Sequence, residues 1–66
     1  MGTEETDLPE LAAPARRALI GAGYTRLGDL TKVKASDVMK LHGMGQSAME
    51  VLRAALEERG LSFRDG

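Results

Sequence analysis

Apolar residues recur every three or four positions along this chain, and no stretch alternates apolar with polar residues as a strand would. The pattern is clearest near the C-terminus, where it predicts a helix over about residues 46–59 that stops at Gly60. One face of this helix carries Ala48, Leu52, Ala55, Leu56 and Arg59. Shorter helices are predicted over about 14–21, 26–32 and 34–41. The predicted fold class is all-α, a compact bundle of four to five short helices.

Polar residues and prolines mark the predicted helix starts. Pro14 suits the first turn of the first helix, where its missing N–H costs little. The Thr25 side chain suits the cap of the second helix, and Asp7 suits the cap of a short turn that contains Pro9. Ser36 and Asp37 are expected near the start of the third helix.

The chain divides into one domain and two tails. Residues 1–7 are polar and acidic, and we expect a disordered N-terminal tail there. The domain spans 8–63, and its last residues fold back so that Leu61 and Phe63 cover the core. Residues 64–66 form a C-terminal tail.

Two stretches of the sequence resemble each other at an offset of 22 residues. "LIGAGYTRLGDL" begins at Leu19 and "LHGMGQSAMEVL" begins at Leu41, and both place two glycines, a hydroxyl residue and a final leucine at the same positions. This similarity predicts two pseudo-repeated hairpin units, each a Gly-x-Gly turn followed by a helix.

A Gly-x-Gly turn before a helix has two interpretations. Without Cβ atoms the turn can approach a ligand, and the free N–H groups of the following helix attract an anion. One phosphate would then lie at residues 43–47 and a second at 21–25. Alternatively, both turns are only tight connections. Met44 is expected in the core in either case.

Composition limits the chemistry that the chain can support. Its 66 residues include no Cys and one His, so a disulfide, a zinc site and a cofactor are not expected. No side chains pair a nucleophile with a base, and we expect no enzyme. No apolar run is long enough to cross a membrane, and we expect a monomeric cytoplasmic protein. The net charge is −1, but residues 16–40 carry six cations against two carboxylates.

Several runs of residues resemble one known family. "YTRLGDLTKV", "LHGMGQSAMEVLRAALEERGLSF" and especially "ERGLSF" resemble the C-terminal domain of the bacterial RNA polymerase alpha subunit. The chain also resembles small stand-alone bacterial proteins with the same domain that are described as DNA-binding. The resemblance covers Leu8 to Phe63 and implies a helix-hairpin-helix, or SAM-like, fold. It further implies contact with the DNA minor groove and with protein partners of the transcription machinery.

The family's contact residues are only partly present. The minor-groove arginine of the family falls at Pro14, and its partner asparagine falls at Arg17, which could still reach a phosphate. The hairpin glycine is kept as Gly45, whereas the following lysine and serine become Ser47 and Ala48. Some members of the wider family hold a monovalent cation in the hairpin. The sequence leaves open whether this chain does the same.

These observations favour a weak, largely sequence-independent module for binding double-stranded DNA, with a transcription-related role. The alternative is a protein-interaction module of the same fold that has lost DNA binding. The residues predicted to bind nucleic acid are Arg16, Arg17, Lys40, His42, Gly43, Gly45, Gln46 and Ser47.

Overall fold

A computed structural model describes residues 7–65 and contains four α-helices within that range. They are α1 (Ala13–Gly21), α2 (Leu27–Leu30), α3 (Ala35–Met39) and α4 (Gln46–Glu58). None of the described residues lies in a strand, which confirms the all-α class. Of the disordered tail predicted at 1–7, residues 1–6 lie outside the described residues, whereas Asp7 forms part of the folded domain and corrects that boundary.

The two middle helices are shorter than predicted. The Thr31 and Lys32 N–H groups bond to carbonyls only three residues earlier, and those of Lys40 and Leu41 do the same. Such i→i+3 bonds tighten the chain into turns, so the α-helical pattern stops before the predicted ends. The first helix begins at Ala13 and has Pro14 in its first turn, as expected.

One apolar core lies between α4 and the shorter helices, and α4 contacts both α2 and α3. Its buried residues are Ala15, Leu19, Leu27, Leu30, Val38, Met49, Leu52, Leu56 and Phe63. The predicted α4 face was partly wrong, because Met49 is buried while Arg59 is exposed. Met44 is half-buried and packs against this core.

The C-terminal segment folds back as predicted, but only one of its two apolar residues enters the core. Phe63 is buried, with the Arg53 guanidinium 5.7 Å from the centre of its ring. Leu61 is 36% exposed. Its N–H bonds to the Leu56 carbonyl at 2.8 Å in the turn that ends α4, and this turn leaves the side chain on the surface.

Carboxylates satisfy the backbone N–H groups at the starts of α2 and α3. Asp7 accepts a hydrogen bond from the Leu27 N–H at 2.7 Å, and its other oxygen accepts one from Arg59 at 3.0 Å. The prediction that Thr25 caps α2 is wrong, because the cap residue is Arg26. The Asp29 carboxylate accepts hydrogen bonds from the N–H groups of Thr25 and Arg26.

Asp65 does the same for α3, where it accepts the Ala35 N–H at 3.0 Å. The neighbouring Arg64 N–H bonds to the Val33 carbonyl at 2.9 Å. Residues 64 and 65, predicted to form a tail, are therefore attached to the domain. Asp7 similarly caps α2 rather than the predicted turn at Pro9, because the chain fold brings it beside Leu27.

The two glycine turns do not share one backbone geometry, so the predicted repeat is not kept. The aligned pairs are Gly21 with Gly43 and Gly23 with Gly45. Positive φ angles occur at Gly23 (92°) and Gly43 (99°), one from each pair. The first turn closes the end of α1 through a bond from the Tyr24 N–H to the Leu19 carbonyl, whereas the second lies between α3 and α4.

We predict that Gly43→Ala destabilises the domain more than Gly23→Ala. Both positions have positive φ, which costs an L-residue roughly 1–2 kcal/mol. A Cβ at Gly43 would also lie 2.6 Å from the Pro14 carbonyl oxygen, whereas at Gly23 no atom outside the two adjacent residues would lie within 4 Å of a Cβ. Thermal melts should show a loss of about 1 kcal/mol for Gly23→Ala and of ~2 kcal/mol or more for Gly43→Ala. Equal losses would mean that the contact with Pro14 is not tight.

We also predict that Asp7→Ala lowers the free energy of unfolding by about 1–2 kcal/mol, because the α2 start loses its cap and Arg59 loses its partner. The midpoint of thermal unfolding should fall by several degrees, since ~1 kcal/mol corresponds to about 4–8 °C in a domain of this size. The control is Glu10→Ala, since Glu10 is exposed in the same segment and makes no hydrogen bond or ion pair with residues 7–65. A melt unchanged by Asp7→Ala would contradict the capping role.

Candidate nucleic-acid interface

The loop between α3 and α4 packs directly on the start of α1. A hydrogen bond from the Met44 N–H to the Leu41 carbonyl, at 3.1 Å, closes a four-residue turn. Gly43 is the third residue of this turn, and its positive φ makes the turn type II. Gly43 has no Cβ, so its backbone can lie against the Pro14 carbonyl. The prediction of a positive φ at Gly43 is confirmed: the type II turn requires it, and the contact with Pro14 leaves no room for a Cβ.

The start of α4 follows immediately and is open to solvent. Gly45 is the cap residue with an extended backbone (φ −140°, ψ 176°), and no side chain caps the helix. Outside its own chain neighbours, no atom lies within 4 Å of the position of a Cβ on Gly45. Gln46 and Ser47 are exposed. The first N–H groups of a helix lack partners within it, so this start attracts an anion.

The start of α1 is also without a side-chain cap. Ala12 is the cap residue, and the first turn contains no acidic residue. The first turn of α4 likewise contains none, whereas those of α2 and α3 contain Asp29 and Asp37. The contact of Gly43 with Pro14 therefore links the two helices that lack both a side-chain cap and an acidic first turn: it lies at the start of α1 and in the loop that leads into α4.

The two arginines of α1 lie on different sides of the helix. Residues three apart are neighbours on a helix surface, so Arg17 lies on the same side as Pro14 and hence toward the loop that contains Gly43. Arg16, two positions after Pro14, faces away from that side. Both arginines are exposed. Of the two, Arg17 is the one that the fold brings toward the α3–α4 loop.

Lys40 and His42 lie at the beginning of the same loop, and both are exposed. Lys40 is 4.0 Å from the Asp37 carboxylate one turn earlier, and both side chains are mostly solvated. An exposed pair of this kind is weak, so Lys40 can leave it to contact an anion. His42 is the second residue of the type II turn.

All eight residues that the sequence predicted to bind nucleic acid are on the surface.

The second predicted phosphate site, at residues 21–25, is not supported. The N–H groups that would bind a phosphate there already bond to carboxylates: those of Thr25 and Arg26 to Asp29, and that of Leu27 to Asp7. Two fixed negative charges at this start would also repel a phosphate. The candidate site is therefore limited to the α3–α4 loop and the start of α1.

The described part of the chain contains neither a metal-binding cluster nor a membrane-spanning helix. Within residues 7–65, no cluster of three or more His, Cys, Asp or Glu side chains could hold a metal ion. The longest helix there has 13 residues, and no helix is long and apolar enough to span a membrane. No family model matches the chain, and no curated protein or solved structure matches it either.

Proposed function

We propose that this protein binds double-stranded DNA weakly and with little sequence preference, through the α3–α4 loop and the start of α1. The observation that carries the proposal is the contact of Gly43 with Pro14, because it joins two helix starts that lack side-chain caps. The proposal includes a fold of the helix-hairpin-helix type, with α3, the loop and α4 as the DNA-contacting unit. The proposed function is binding without catalysis.

The chemistry of the loop suits a backbone phosphate. The N–H groups of Gln46 and Ser47 point out of the exposed start of α4, and the dipole of this 13-residue helix adds a partial positive charge. The open space at Gly45 lets a phosphate approach closely. Arg17 supplies a full positive charge from the neighbouring helix. Contacts of this kind position a duplex without specifying its sequence.

The family resemblance supports the same surface and adds a transcriptional setting. In that family the start of the first helix and the hairpin before the last helix hold the minor groove, and the equivalent segments here are the ones in contact. Pro14 and Ser47 replace the family's arginine and lysine. Because those two side chains are missing, the binding proposed here is weaker and less selective than in the family.

The alternative function is a protein-interaction module of the same fold. The net charge of −1 and the replacements at Pro14 and Ser47 favour it, since both reduce attraction to a polyanion. The two functions differ in their dependence on salt, which makes a titration the deciding experiment.

We predict that labelled duplex DNA binds with a slope of about −3 to −4 in a plot of log binding constant against log salt concentration. This small surface can contact three or four phosphates, and each contributes about −0.9 to the slope. The measurement is fluorescence anisotropy with two unrelated duplexes over a series of salt concentrations. The two duplexes should give similar affinities. Binding that does not respond to salt, or no binding at low salt, would favour the protein-interaction alternative.

Two matched variants locate the surface in the same titration. Arg17→Ala should weaken binding of both duplexes equally and make the slope shallower by about one phosphate, or ~0.9. Arg16→Ala removes the same charge from the other side of α1 and should have a clearly smaller effect. Equal losses would mean that general charge, and not this surface, attracts DNA.

We further predict that Gly45→Asp separates stability from binding. The position has an extended backbone and open space, and aspartate is a favoured cap, so stability should stay the same or rise by about 0.5–1 kcal/mol. DNA affinity should fall at least about tenfold, because a carboxylate then occupies the phosphate position. Gly45→Asn is the control, since it caps without a charge and should bind better than Gly45→Asp. Unchanged DNA binding in Gly45→Asp would mean that the loop is only a turn.

A further inference from the structure

A second basic surface lies at the opposite end of α3, where the C-terminal segment meets the α2–α3 loop. The Arg64 N–H bonds to the Val33 carbonyl at 2.9 Å, and the Asp65 carboxylate accepts the Ala35 N–H at 3.0 Å. These two bonds bring Arg64 beside the residues that flank Val33, which are Lys32 and Lys34. All three cationic residues are exposed. We call Lys32, Lys34 and Arg64 the second basic surface.

These three cations are not neutralised within the described part of the chain. Elsewhere in residues 7–65, Arg59 pairs with Asp7 at 3.0 Å and Lys40 with Asp37 at 4.0 Å. No ion pair joins Lys32, Lys34 or Arg64 to another of these residues. The nearest acid in sequence, Asp65, has one oxygen engaged with the Ala35 N–H. The surface therefore keeps an excess of positive charge.

An open groove between α3 and α4 begins beside this surface. It has a volume of about 530 Å³. Ala35, Met39 and Met49 form its apolar wall, and Ser36, Gln46, Glu50 and Arg53 supply polar and charged groups. Met39 is 42% exposed, so its thioether side chain is available to a partner. Methionine adapts to the shape of an apolar side chain. Glu50 is the one acidic residue of the lining, and Arg53 lies one turn after it.

We propose that the second basic surface and this groove bind an acidic protein segment, which places an apolar side chain between α3 and α4. Charge complementarity carries the choice of partner, because three cations that form no ion pair within residues 7–65 lie beside a groove with an apolar wall of Ala35, Met39 and Met49. Acidic side chains of the partner would contact Lys32, Lys34 and Arg64. A nucleic acid backbone matches the charge but has no apolar side chain to fill the groove. The three cations lie at the other end of α3 from the α3–α4 loop, and the groove shares one lining residue, Gln46, with the proposed DNA surface. The inference itself does not depend on DNA binding.

The probe for the experiment is a fluorescein-labelled peptide of Asp-Leu-Glu-Leu repeated three times. A peptide of Asp-Ser-Glu-Ser repeats has the same charge without apolar side chains, and it should bind at least about fivefold more weakly to the intact chain. A Lys-Leu-Lys-Leu peptide should not bind. Equal binding of the two acidic peptides would overturn the role of the groove, and binding of the basic peptide would overturn the role of charge.

Substitutions then locate the site. Lys34→Glu combined with Arg64→Glu should weaken the Leu-containing acidic peptide about tenfold, because two attractions become repulsions. Arg16→Glu combined with Arg17→Glu changes the net charge by the same amount on α1 and should leave peptide affinity within about twofold. Met39→Gln, at an exposed position, should weaken the same peptide about threefold or more. Thermal melts confirm that each variant folds, and Lys34→Gln with Arg64→Gln replaces the reversal if that variant does not.

The two basic surfaces are distinguished by exchanging the ligands. If Lys34→Glu with Arg64→Glu weakens duplex DNA and the peptide equally, the second basic surface is part of a nucleic-acid site and the proposal is wrong. If peptide binding falls while DNA binding stays within about twofold of the parent, the acidic-segment site is supported. If the intact chain does not bind DNA, the peptide titration still decides whether the acidic-segment site exists.

Discussion

The structure depends on how the starts of very short helices satisfy their backbone N–H groups. The first four N–H groups of a helix have no partner within it, and α2 has only four residues. Neither α2 nor α3 could persist alone, because so short a helix does not repay the cost of its first turn. Carboxylates from other parts of the chain supply the missing acceptors: Asp7 lies 20 residues before Leu27, and Asp65 lies 30 residues after Ala35. These contacts also attach both ends of the described segment, residues 7 and 65, to the core.

The same constraint distinguishes the helix starts that carboxylates cap from those that no side chain caps. At the starts of α2 and α3, fixed carboxylates occupy the position that a phosphate would need. At the starts of α1 and α4, no side chain provides a cap. The contact between Gly43 and Pro14 brings these two starts together, so the partners that the fold does not supply would come from one ligand surface. Packing and proposed binding therefore have a common origin in one glycine contact.

The distribution of acids explains why the net charge of −1 describes the surface poorly. Asp7, Asp29 and Asp65 are engaged with backbone N–H groups. Arg17, Lys34 and Arg64 have no ion pair with the described residues. Local positive surfaces thus exist on a chain that is slightly acidic overall, and local potential, not net charge, guides an anionic partner.

The sequence by itself determined the all-α class, the position of α4, the glycine stop at Gly60 and the positive φ of Gly43, because apolar spacing and glycine chemistry act over a few residues. Tertiary structure decided which acids became caps, since Asp7 and Asp65 meet their partners only after folding. It also decided that Met49 is buried while Arg59 is exposed, and that Leu61 stays on the surface. Tertiary structure also decided that the predicted repeat is not kept. Similar sequences around residues 21–23 and 43–45 adopt different backbones, because Gly23 ends α1, whereas Gly43 lies in a type II turn that packs on Pro14.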